Sequence, residues 1–194
     1  SALTEFLTRE PGSALAADAL LHRGLAYRYL GQPDRALADF ERAASSYPGQ
    51  KSADEALFQA GQLLESLGRG REAISAYQRL ADRFPSSSRR EEARYRAALL
   101  ALELGDQSTA QATLAELARA AAPPWQAAAN LWLGKLAAAS GNRAQADAFW
   151  QAAEATAPGE LAGLRARALR QGEVVPQAPP LAGVAVALED AADL

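Results

Sequence analysis

The sequence predicts an all-α solenoid, a stack of helix–turn–helix repeats, and three observations carry that expectation. Alanine and leucine dominate its 49% hydrophobic content, while valine and isoleucine are scarce before the C-terminal end. Ala, Leu, Arg, Gln and Glu are the strongest helix formers, and the lack of β-branched runs argues against a sheet. Next, Gly24, Gly61, Ala98 and Gly134 recur at spacings of 37, 37 and 36 residues, and Gly31, Gly68, Gly105 and Gly141 keep the same intervals. Finally, Ala36, Ala73, Ala110 and Ala146 hold that register, as do the bulky Phe40, Tyr77, Leu114 and Trp150. Self-similarity at a fixed period is the mark of repeat architectures, and an alanine-rich chain does not supply glycine and aromatic columns together by chance.

Each element follows from these columns. Leu3 and Phe6, closed by Pro11, match the packing positions and terminator of a preceding unit, so residues 1–13 read as a partial repeat and the chain as a piece of a longer solenoid. Repeats follow at about 17–50, 54–87, 91–123 and 127–160, a capping helix at 159–171, and a proline-rich linker or tail at 172–194 with Pro176, Pro179 and Pro180. A glycine inside a helix costs about 1 kcal/mol relative to alanine, so the first column marks a close approach by the second helix. The column from Ala36 to Ala146 is expected to form the other half of that contact, with the bulky residue four positions on filling the space beside it. The second glycine column belongs in the turn between helices, where a positive φ is needed. Pro48, Pro85 and Pro158 end units because proline cannot continue a helix; the third repeat departs, with Ala122 followed by Pro123 and Pro124. Ser52-x-x-Glu55 and Ser88-x-x-Glu91 read as capping boxes.

The pattern Gly24-x-x-Tyr27, Gly31, Ala36-x-x-x-Phe40, Pro48 resembles the tetratricopeptide repeat, whose unit is about 34 residues. The resemblance covers most of the chain and implies a right-handed superhelix. The C-terminal part has a second likeness. Leu131-Trp132-Leu133-Gly134-Lys135-Leu136, Ala148-Phe149-Trp150-Gln151-Ala152-Ala153, Pro158-Gly159 and Leu164-Arg165-Ala166-Arg167 are similar to the end of the helical superhelix of bacterial soluble lytic transglycosylases. That family carries a Tyr-Tyr pair where this chain has Leu161-Ala162. The likeness implies a non-catalytic arm of a cell-envelope protein, reaching peptidoglycan only through a catalytic domain of its parent. The alternative is a stand-alone adaptor organising an envelope or other complex, with a cytoplasmic location as the other address.

The residues name no reaction. That family's catalytic segment is Glu-Ser followed by Gly-Leu-Met-Gln; Glu65-Ser66 occurs here inside the second repeat, in a chain without Met, and reads as a solvated helix position. The lone His22 forms no His-rich metal site and lacks a triad partner, so it reads as a structural or surface residue. The absence of Cys excludes disulfides and thiolate sites. No cofactor is expected. A formal charge of −3 gives no footprint for nucleic acid, and the most apolar stretch, Leu181 to Leu188, is too short to span a membrane. The patch Arg89, Arg90, Arg94 and Arg96 reads as a solvated face balanced by Glu91 and Glu92, with anion or glycan-strand contact as the other reading. Trp150 belongs to the core; Trp132 and Trp125 fall outside the columns, with Trp125 expected in a loop and available to another domain. In such stacks the first helices line the concave face. The candidate binding residues there are Leu21, Leu25, Arg28, Phe58, Gln62, Tyr95, Leu99 and Lys135, a partly apolar set suited to a protein or peptide partner or to another domain of the same parent.

Overall fold

The computed structural model describes residues 2–50 and 52–173, and among them are ten α-helices and no strand. The linker at 172–194, with Leu181 to Leu188, lies outside the described residues apart from Gly172 and Glu173. The chain divides after Ala93 into two compact units. The first holds α1 (Ala2–Arg9), α2 (Ala16–Tyr29), α3 (Pro33–Ser46), α4 (Ala53–Ser66), α5 (Gly70–Arg83) and the first turn of α6 (Arg90–Glu103). The second holds the rest of α6, then α7 (Gln107–Ala120), α8 (Pro123–Ala139), α9 (Arg143–Thr156) and α10 (Leu161–Gln171).

In the first unit α2 packs on α3 and α4 on α5, each pair an antiparallel hairpin, and α3 also packs on α4. The turns explain the glycine column. Gly31 has φ 67°; its N–H donates to Arg28 O while the Gln32 N–H donates to Tyr27 O. That pair of bonds closes the end of α2 and requires a left-handed residue, which glycine supplies without a steric cost. The same two bonds recur around Gly68, Gly105, Gly141 and Gly172. After Gly31, Gly68, Gly105 and Gly141 the next helix begins within two residues. Pro33 opens α3, where its fixed φ suits the first helical position. Asp106 and Asn142 accept from the backbone N–H of Thr109 and Gln145, at 3.1 Å each, to cap α7 and α9.

The mid-helix glycines meet the bulky column directly. A Cβ on Gly24 would lie 2.5 Å from Cε1 of Phe40, and the rings of Tyr77 and Trp150 crowd Gly61 and Gly134 in the same way. The ring therefore sits on the glycine itself, where the alanine column was expected to make that contact. In the third repeat a leucine, Leu114, replaces the ring, and there the small position is Ala98; both are buried. Trp150 also donates its indole N–H to Leu131 O at 3.2 Å, so its polar edge is satisfied inside the hairpin.

Three local expectations are corrected. Ser52 stands before α4, but its hydroxyl donates to Asp18 of the preceding repeat and not to its own helix. α6 begins at Arg90, and the serine oxygen at its entrance is that of Ser87, which accepts from Arg89 N–H at 3.1 Å, so the expected box at Ser88 is displaced. Pro123 and Pro124 open α8 instead of ending a unit, with Ala122 extended before them, and Trp125 consequently lies in the first turn of a helix and not in a loop.

α10 closes the second unit on α9 and α8. Its contact is tight at Gly163, where any Cβ would collide with Ala157 O.

Candidate partner-binding surface

In the first unit the first helices are α2 and α4. Of the candidate residues there, Leu25 and Gln62 are half-buried and Arg28 is exposed. Leu21 and Phe58 are buried, Phe58 to 1% exposure. Phe58 has no surface to offer, because its ring lies 5.8 Å from that of Tyr77 and is covered by the Arg89 guanidinium at 4.7 Å. It belongs to the hairpin core.

What lines this face instead is a continuous chain of polar side chains. Arg28 donates to Gln59 Oε1 at 2.8 Å, Gln59 donates to Glu55 Oε1 at 2.8 Å, and Arg89 donates to Glu55 Oε2 at 2.8 Å and to Glu92 Oε2 at 3.2 Å. The chain runs from α2 across α4 to the start of α6. The hydrogen bond to Glu55 holds the Arg89 guanidinium above its ordinary range, opposed by its burial. Glu55, Gln59 and Arg89 were not among the expected binding residues. Their signal was an offset: Glu55 and Arg89 are 34 residues apart, as are Asp18 and Ser52, so a first-turn acid is met by a residue entering the next first helix.

The basic patch is largely paired. Arg89 is taken by Glu55 and Glu92, Arg90 donates to Ala81 O at 3.2 Å, and Arg94 pairs with Glu116. Behind the face, Arg23 donates through Nε and Nη2 to the two oxygens of buried Asp39 at 2.7 and 2.6 Å, joining α2 to α3. That bond raises the Arg23 pKa against the effect of burial. Arg79 grips Glu41 at 2.9 and 2.8 Å, joining α5 to α3.

In the second unit Leu99 is buried while Tyr95 and Lys135 are half-buried. Tyr95 sits 5.6 Å from the ring of Trp125, tilted by 50°. Lys135 places Nζ 4.6 Å over the ring of buried Trp132, a cation–π contact. His22 is exposed on α2, and Glu65 is half-buried and not the solvated residue expected. Among the described residues no cluster of His, Cys, Asp and Glu is arranged to hold a metal, and no helix is long and apolar enough to cross a membrane.

Hairpins stacked on one repeat register, with side chains linked across successive first helices, define a helical-repeat scaffold. Models of the tetratricopeptide repeat match residues 1–50, 21–88 and 92–121, together more than half of the chain, and the chain belongs to the tetratricopeptide-repeat family. No curated protein sequence matches it. Among solved structures, MamA protein is similar with a TM-score of 0.60 and 17% identity, over 93% of this chain and 91% of that one. PilW, a widely conserved type IV pilus biogenesis factor, is similar with a TM-score of 0.53 and 22% identity, over 89% of this chain and 76% of that one. These likenesses establish the fold.

Proposed function

We propose that this chain is a non-catalytic scaffold that binds a protein or peptide along the faces of its first helices. The observation that carries the reading is the polar chain from Arg28 through Gln59 and Glu55 to Arg89, bordered by Leu25 and Gln62. Mixed polar and apolar side chains held by one another suit an extended or helical segment laid across successive helices. The experiment is site-specific photocrosslinking in the cells that make the protein, with the crosslinker at Gln62 or Lys135 and, as control, at exposed Gln78 on α5. A discrete adduct from the first-helix positions and none from Gln78 is expected. Adducts equal at all three would remove the surface from consideration.

The particular reading is the helical arm of a cell-envelope protein resembling lytic transglycosylases. It is supported by the run from Leu131 to Arg167, whose parts pack together: Trp150 on Gly134, Lys135 on Trp132, and Arg167 on Glu154 at 2.7 Å. A coding sequence that continues into a domain with Glu-Ser and Gly-Leu-Met-Gln is the expected finding; its absence would favour the adaptor. PilW, a pilus biogenesis factor of the same fold, makes an adaptor in envelope assembly the second reading.

A further inference from the structure

Away from the first-helix faces, α9 and α10 border a cleft of about 450 Å³. Its floor includes the small exposed Ala144 and Ala148, and Asp147, Glu154, Arg167 and Arg170 also line it. Arg167 donates its Nε to one oxygen of Glu154 and Arg170 donates Nη1 to the other, each at 2.7 Å. One carboxylate thus holds two guanidinium groups in place while neutralising one of them. Each guanidinium carries five N–H donors in a rigid fork, and the pair spends only one apiece on Glu154. The charge of Asp147 is offset by Arg143, whose Nε lies 3.1 Å from its Oδ1 without making a hydrogen bond, so Asp147 leaves the excess in place. Arg143 also donates to Leu169 O and Arg170 O at the end of α10. The helix itself has three arginines and no acid between Leu161 and Gln171. Leu164 lies one turn before Arg167 and is 47% exposed.

We propose that this cleft is a docking site for an acidic, leucine-bearing peptide segment of a partner protein: carboxylates enter between Arg167 and Arg170, and an apolar side chain covers Leu164, one turn before Arg167. The charge left over between the two arginines and Glu154 is that of one carboxylate, and bidentate guanidinium–carboxylate pairing suits a fork already oriented. The exposed Leu164 beside Arg167 gives the segment an apolar residue next to its acids. The two guanidinium groups also hold the Glu154 carboxyl below its usual range, through its bond to Arg167 first. This site is separate from the first-helix surface and stands whether or not that surface binds.

The test is fluorescence anisotropy of the full chain with a short labelled peptide of leucine and glutamate, and with its counterpart carrying glutamine for glutamate. The glutamate peptide is expected to bind and the glutamine peptide to bind at least about tenfold more weakly. Arg167→Gln with Arg170→Gln should abolish the preference. Because that change also strands Glu154, a second variant leaves the arginines and Glu154 in place: Ala148→Glu sets a carboxylate on the exposed floor. It should melt like the parent and lose the glutamate peptide by a similar factor. Equal affinity for the two peptides, or parental affinity in folded Ala148→Glu, overturns the proposal.

Discussion

A ring resting on a bare backbone is the smallest unit of order in this molecule. Phe40 on Gly24, Tyr77 on Gly61 and Trp150 on Gly134 each use the space that a Cβ would occupy. Gly61→Leu should therefore cost on the order of 1–3 kcal/mol or more through overpacking, read from urea denaturation. The pairing gives a sharper test. Gly61→Ala should cost less in a Tyr77→Leu background than in the parent, a non-additivity diagnostic of contact, because the third repeat already combines alanine with leucine. Trp150→Ala should cost about 3–5 kcal/mol, since it empties a buried site and removes the indole bond to Leu131 O. The glycines were legible in the sequence because a costly residue at a fixed period needs a reason. Which residue fills the gap was less so: ring and alanine lie on one helix face, and only the distance between helices decides which touches. Phe58 likewise looked like surface by register, and its burial depends on Tyr77 and on an arginine many residues away.

At the level of the helix, boundaries were readable wherever one residue type had one use. The turn glycines are such a case. Asn142→Ala should cost about 1 kcal/mol, by removing the bond to Gln145 N–H that starts α9. Proline has two uses, ending one helix or opening the next, and Pro123 and Pro124 took the second; Trp125 went with them into α8. Serine hydroxyls were harder still, since the acceptor of Ser52 lies in another repeat. The pair of arginines on Glu154 makes the docking of α10 acid-sensitive. Glu154 has its pKa lowered in the folded chain, so its contribution is present above the ordinary carboxylate range, about pH 4.3, and is lost as the pH falls through the lowered folded value. Hydrogen exchange should show α10 protected at neutral pH and opening in acid below that range, ahead of α8 and α9. Glu154→Gln should flatten this dependence. An α10 in the parent chain that opened together with α9 at every pH would contradict it.

Across the whole molecule, the repeat architecture and its membership in the tetratricopeptide family were plain from the marker columns. The face proposed to bind a partner was only partly so. Register selects which residues point outward from a first helix, and of those chosen Leu25 and Gln62 are half-buried and Arg28 is exposed. The bonds that organise that face join residues of different repeats, and a column-by-column reading does not see them. Incubation of the purified chain with peptidoglycan should release no soluble fragments; clear release would contradict the non-catalytic reading.

Several ties between neighbouring repeats fasten the start of a helix from further along the chain. Gln50 accepts from Ala17 N–H and donates to Ser13 O, Ser52 reaches Asp18, and Arg89 reaches Glu55, each closing the start of a helix with a residue 33 to 37 positions later. A ribosome delivers the chain in the opposite order. Each hairpin must then emerge with the entrance of its first helix unfastened, and it stays so until the beginning of the next hairpin has cleared the exit tunnel. Assembly during synthesis should thus lag translation by about one repeat, every new unit finishing the one before it.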